Sequence, residues 1–152
     1  MPAIRILIDA DACPVKDEVY KVAWRRGVAV KVVSNMALRV PDHPLVERVV
    51  VSGAFDAADD WIAEQATAKT VVITGDILLA DRCLKAGAMV IGPTGKPFTP
   101  SSIGGAIATR AIMADLRAGA GMTGGPAPFA KADRSRFLQA LDAALERLAR
   151  GG

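Results

Sequence analysis

Seven aspartates fall just after hydrophobic runs that read as β-strands or in the helices those runs lead into. Asp9 and Asp11 follow residues 4–8, Asp56, Asp59 and Asp60 follow residues 47–51, and Asp76 follows residues 71–74, with Asp81 one helical turn further on. In a parallel sheet every strand ends at the same edge, so three separate segments would deliver carboxylates to one crevice. Asp is also a favoured N-cap and first-turn residue, and each of these lies near a helix start. Capping accounts less well for the set than for any one of them. Two carboxylates about 5 Å apart repel by about 3 kcal/mol at an effective dielectric near 20, and a cluster multiplies that cost. A divalent cation relieves it. Oxygen ligands without His or Cys suit Mg²⁺ or Mn²⁺ better than zinc. Such ions act on phosphoryl groups by orienting a water, lowering its pKa and offsetting phosphate charge. Helical spacing makes Asp56 and Asp60 i, i+4 neighbours on one face, away from Trp61 and Ile62. Asp59 is then turned about a hundred degrees aside, as a cap. The expected catalytic ligands are therefore Asp9, Asp60 and Asp76, with Asp11, Asp56 and Asp81 as outer or second-metal ligands.

The elements that must position these side chains alternate between short β-branched runs and helical periodicity, the pattern of βαβ units. Strands are expected at residues 4–8, 28–33, 47–51, 71–74 and 88–91. Pro14 suits a first helical turn, and Val15, Val19, Val22, Ala23 and Arg26 continue the helix until Gly27 stops it. A second helix carries Ala58, Trp61, Ile62, Gln65 and Ala66, and a third, residues 77–86, is closed by Gly87. This predicts an α/β domain with a parallel sheet of about five strands and helices on both faces. After Ile91 the pattern changes. Pro93, Gly95, Pro97 and Pro100 predict a rigid loop, followed by a helix with Ile103, Ile107, Ala111, Ile112 and Leu116 on one face. Residues 119–129 are irregular, and a last amphipathic helix carries Phe137, Leu138, Leu141, Ala144, Leu145 and Leu148. The 152 residues are expected to form one domain, an α/β core over 1–91 with a helical extension over 92–152.

Composition narrows the classes. Hydrophobic residues at 51% and charged residues at 23% exclude a disordered chain. Aromatics at 5% argue against a base-stacking surface. No apolar run approaches the roughly 18 residues of a membrane span, and residues 4–8 are too short for a signal peptide. Cys13 and Cys83 have no partner spacing, which excludes a disulfide framework and a cysteine zinc site and predicts a cytoplasmic protein. Cys13 lies beside the aspartates, but the only His, His43, sits in the turn at 41–44, so a packing thiol is expected. Charge is uneven along the chain: through Ile91 there are 11 Lys/Arg against 12 Asp/Glu, and from Gly92 onward 8 against 4. A cation site beside a surface that meets an anion fits this split. Arg110, Arg117, Lys131 and Arg134 are the candidate phosphate-backbone patch. Lys16, Ser34, Asn35 and Thr74, at the same edge as the aspartates, complete the substrate-binding candidates.

Four strings resemble the YaiI/YqxD family of bacterial proteins over nearly the whole chain. They are Ile8-Asp9-Ala10-Asp11-Ala12-Cys13-Pro14-Val15, Gly53-Ala54-Phe55-Asp56-Ala57-Ala58-Asp59-Asp60-Trp61-Ile62, Val72-Ile73-Thr74-Gly75-Asp76-Ile77-Leu78-Leu79-Ala80 and Thr123-Gly124-Gly125-Pro126. That family is similar to PIN and NYN nuclease domains. The resemblance implies a PIN-like three-layer fold and Mg²⁺- or Mn²⁺-dependent cleavage of RNA. It matches Asp9 to the acid after the first PIN strand, Asp60 to the Asp opening the helix before the fourth strand, and Asp76 to the Asp after that strand. One departure is that no helix carrying the second PIN acid, usually a Glu, is expected between Ser34 and Val51. Two other readings remain open. Asp9-Ala10-Asp11 also resembles the nucleophile and general acid of haloacid-dehalogenase-type phosphatases, and the acidic edge could bind RNA or protein without chemistry. The expected partner is RNA, with no membrane association, and a homo-oligomer is left open.

Overall fold

In a computed structural model describing residues 3–11, 13–53, 56–120 (side chains to residue 116) and 129–151, the chain forms six strands and five helices. In order they are β1 (Arg5–Asp9), α1 (Lys16–Arg26), β2 (Ala29–Ser34), β3 (Val46–Val50), α2 (Ala57–Gln65), β4 (Thr70–Ile73), α3 (Ile77–Lys85), β5 (Met89–Ile91), β6 (Pro97–Phe98), α4 (Ile103–Ala120) and α5 (Lys131–Ala149). The strands make one sheet, ordered β3-β2-β1-β4-β5-β6. All neighbours are parallel except β5 and β6.

The unbroken apolar runs of β1 and β4 reflect burial on both sheet faces. On one face Ile6, Ile8, Val30, Val71 and Ile73 pack against Val19 and Val22 of α1 and Phe137, Leu141 and Leu145 of α5. On the other, Leu7, Val33, Val72 and Val90 meet Ile62 of α2, Leu79 and Cys83 of α3, and Ile103 of α4. α4 only partly follows its expected apolar face. Ile103 and Ile107 reach the core, but Ile112 and Leu116 stay 59% and 48% exposed, because among the described residues only the first turns of this helix pack against the core. No helix among the described residues is long and apolar enough to cross a membrane.

The sixth strand corrects the expected loop at 93–100. β6 pairs antiparallel with β5, Val90 opposite Phe98 and Ile91 opposite Pro97, and Pro97 is tolerated because β6 is the sheet edge. Gly92 N–H donates to the Lys96 carbonyl at 2.9 Å, closing the hairpin. Gly95 in its turn has φ +90°, and a Cβ there would lie 2.5 Å from the Arg136 carbonyl carbon of α5. Gly95→Ala is therefore expected to destabilise the protein by about 2–3 kcal/mol, through left-handed strain and a clash with backbone that cannot yield. A chemical-denaturation midpoint checks this, with the slope unchanged.

The strand order reverses at β1. The chain winds outward through β2 and β3, and α2 then carries it back to place β4 on the other side of β1. α1 leaves β1 on one face while α3 leaves β4 on the other, so the two connections splay apart and open a crevice at the strand ends.

Candidate functional site

That crevice has a volume of about 710 Å³ and is walled by Asp9, Asp11, Asp59, Asp76, Ser34, Asn35, Thr74 and Pro93 among others. Asp9 is the last residue of β1, Asp11 lies in the turn beyond it, Asp59 is in the first turn of α2, and Asp76 is the N-cap of α3. Asp76 does cap: its Oδ1 accepts from the N–H groups of Leu78 and Leu79 at 2.9 and 3.2 Å. Both bonds fall on one oxygen. Thr74, 2% exposed, links the two strands: its hydroxyl donates to Asp9 Oδ2 at 2.8 Å and accepts from the Asp76 N–H at 3.0 Å. Thr74→Val is expected to cost about 1–3 kcal/mol, since it strands a half-buried N–H and a carboxylate oxygen. Thr74→Ser restores most of that, and thermal unfolding of the two variants checks it.

Burial holds Asp9 above the ordinary carboxylate range, and the facing carboxylates of Asp76 and Asp11 add to this against the Thr74 hydroxyl. Asp59 is pushed up to about 6 by burial and then by Asp76, Asp9 and Asp56, with Arg82 opposing. These carboxylates feel one another, yet among the described residues no three His, Cys, Asp or Glu side chains are arranged to enclose a metal ion. Burial raises the Cys13 thiol in the same crevice. His43 instead stacks on Trp24 of α1, ring centroids 5.0 Å apart.

The structure places Asp59, not Asp60, in the crevice. Ile62 anchors α2 to the sheet, and Asp59 stands about 60° from it around the helix whereas Asp60 stands about 160° away. Asp60 accordingly faces out and pairs with Arg82 at 2.9 Å. A signal for Asp59 was available in its i, i+3 spacing to Ile62. Asp56 is exposed at the α2 N-cap, near enough to Asp59 to raise it but outside the crevice wall. Asp81 pairs with Lys85 at 3.0 Å, a turn beyond. Ser34 and Asn35 do line the crevice, and Ser34 Oγ also accepts from Met36 N–H at 3.0 Å. Lys16 is folded back, donating to the Cys13 carbonyl at 2.9 Å.

The expected patch of four cations does not form. Arg110 is on α4, over one sheet face, while Lys131 and Arg134 are on α5, over the other. Arg134 is held by the buried Glu18 of α1 and lies over the Phe129 ring. The Arg117 side chain and the Gly124-Gly125-Pro126 segment lie outside the described residues. As expected, residues 35–45 contain no helix.

Residues 7–147 match the profile of a family described as "Uncharacterized BCR, YaiI/YqxD family". The chain belongs to the YaiI/YqxD family. The span that carries the YaiI/YqxD match includes all four crevice aspartates. A "UPF0178 protein" of Sphingopyxis alaskensis is 74% identical over 152 residues, covering 99% of both chains. Another of Nitrobacter winogradskyi is 60% identical over 150 residues, covering 99% of this chain and 96% of the relative. A third, of Rhodopseudomonas palustris, is 58% identical over 146 residues, with 96% and 92% covered. No solved structure matches this YaiI/YqxD chain.

Proposed function

We propose that this YaiI/YqxD protein is a PIN-like phosphodiester hydrolase that uses Mg²⁺ or Mn²⁺ and acts on RNA. The observation that carries the reading is the meeting of four carboxylates, from three chain segments, at the point where the strand order reverses. Groups that repel one another are costly to hold together, and perturbed carboxylates in a cleft mark functional sites.

The donor set suits the ion. All four donors are carboxylates, and Mg²⁺ keeps most of its waters, taking one or two carboxylates plus substrate phosphate oxygens rather than a closed protein cage. Asp9 and Asp76 would hold it, with Asp11 beside them. When bound, the cation offsets phosphoryl charge and lowers the pKa of a coordinated water. Asp59 supplies a carboxylate able to take the proton that an attacking water releases. It also supplies, from α2, the further acid that no helix between β2 and β3 provides. Thr74 fixes the Asp9 rotamer, and Ser34 and Asn35 offer polar contacts to the substrate. A phosphatase of the haloacid-dehalogenase type is less well served. α1 begins at Lys16, leaving no room after β1 for a hairpin flap, and Lys69 lies before β4 with its ammonium 3.4 Å from the Leu148 carbonyl.

Thermal unfolding with and without Mg²⁺ or Mn²⁺, at pH 7 and pH 5, tests the reading. Asp59 and Asp9 bind protons more tightly folded than unfolded, so they destabilise the metal-free protein above about pH 6 and cease to do so as pH falls toward 3.8. Metal-free protein is therefore expected to melt higher at pH 5 than at pH 7. Millimolar Mn²⁺ is expected to raise the melting temperature at pH 7, to do so less at pH 5, and not to do so in Asp9→Asn. Cleavage of an oligoribonucleotide with no release of phosphate from monoesters completes the expected result. No metal response at pH 7 overturns it.

A further inference from the structure

The carboxylate crevice does not end at Asp76. Ile77, the next residue, lines a neighbouring cleft of about 680 Å³ between α4 and the β5–β6 hairpin, together with Lys96, Phe98, Thr109, Arg110 and Met113. The hairpin joins the two spaces. Its Pro93 lines the crevice, where its Cδ would be 3.7 Å from a Cβ on Gly75, and its Lys96 lines the cleft. The hairpin is rigidly placed, because Gly95 packs directly on the α5 backbone.

The two spaces have opposite electrostatic character. No carboxylate lines the α4 cleft among the described residues, and it presents two exposed cations. Neither Lys96 nor Arg110 has a side-chain ion pair or hydrogen bond among those residues. By contrast Arg26, Arg82, Lys85, Arg134 and Arg136 are each held by a carboxylate. Two uncompensated cations beside a cluster of acids suit a ligand whose phosphates repeat along a chain, one reacting in the crevice and the next held by the cations. Phe98 and Met113 give the cleft an apolar wall for a sugar or base.

We propose that this α4 cleft is a phosphate subsite, with Lys96 and Arg110 binding the backbone of a single-stranded oligonucleotide as it leaves the crevice. The proposal rests on the phosphodiesterase reading of the crevice, and it makes the substrate a polynucleotide chain rather than a small diester.

Binding of a fluorescent single-stranded oligoribonucleotide, with and without Ca²⁺ and over a range of salt, tests it by anisotropy. Lys96→Ala/Arg110→Ala is compared with Lys21→Ala/Arg147→Ala, which removes the same charge from exposed positions elsewhere. The first variant is expected to bind at least about tenfold more weakly at low salt. Its slope of log K against log salt is expected to shrink by about 1.4, at about 0.7 for each phosphate that is no longer neutralised. Its Mn²⁺-dependent hydrolysis of bis(4-nitrophenyl) phosphate, too small to span both spaces, is expected to equal that of the unsubstituted protein. Binding unchanged in the first variant, equal weakening in both, or no binding by the unsubstituted protein overturns the subsite. Lys96- and Arg110-dependent binding without diester hydrolysis overturns the reading of the crevice and leaves the subsite standing.

Discussion

Asp59→Asn is expected to lower phosphodiester turnover by at least about 100-fold, the lower end of what a positioned general base contributes. Asp60→Asn is expected to leave it within about twofold, because it breaks an exposed ion pair with Arg82 of a kind that contributes only about 0–1 kcal/mol. The two residues are adjacent in sequence and identical in type, so the contrast isolates geometry. Asp59 lines the crevice and responds to Asp9 and Asp76, whereas Asp60 faces away. Asp9→Asn is expected to match Asp59→Asn. Neither loss would reflect unfolding, since each substitution removes one of several repelling charges and should raise the melting temperature of the metal-free protein. Turnover on an oligoribonucleotide with Mn²⁺, alongside melting curves, checks all three variants. Greater loss in Asp60→Asn than in Asp59→Asn would restore the assignment suggested by the family resemblance.

Arg134→Met is expected to act on stability, not on RNA. Glu18 is 5% exposed, its Oε2 has no partner among the described residues, and Arg134 satisfies Oε1. Removing the guanidinium leaves a buried carboxylate uncompensated. In a fully buried pair that costs about 3–5 kcal/mol; with Arg134 half exposed, about 2–3 kcal/mol is expected. At roughly 2–4 °C per kcal/mol for a chain of this size, melting should fall by about 5–10 °C. Glu18→Met/Arg134→Met is expected to recover most of that, because replacing both partners by apolar side chains removes the desolvation penalty with the attraction. Oligonucleotide affinity of the folded double variant is expected to stay within about twofold of the unsubstituted protein, since one exposed charge removed far from bound phosphates changes little. A double variant as unstable as the single one would place the stabilisation elsewhere than in this pair.

Both expectations turn on residues whose neighbours are distant in sequence. The alternation of apolar runs was enough to read an α/β chain with helices on both faces, because burial of β1 and β4 on two sides requires apolar residues at successive positions. It also located Asp9 and Asp76 at strand ends, a local property of parallel strands. β6 was not legible. It is two residues long and begins with a proline, and only pairing with β5 makes it a strand. The exposed stretch of α4 was not legible either, since periodicity records an apolar side without saying how far the partner beneath it extends.

The choice between Asp59 and Asp60 needed the rotation of α2 about its own axis. Trp61 and Ile62 offer two apolar directions, and only Ile62 is fully buried. The cation patch needed the assignment of α4 and α5 to opposite faces, which a charge count along the chain does not contain. Local periodicity, set by backbone geometry within a few residues, determined which segments become strands and helices and which ends carry carboxylates. The tertiary structure alone decided the strand order that opens the crevice between β1 and β4, the acid that α2 turns into it, and the neighbouring cleft that Lys96 and Arg110 both line. These are decided by packing between segments far apart in the chain, where side-chain shape and burial select one rotation and one neighbour from several that the local pattern permits equally.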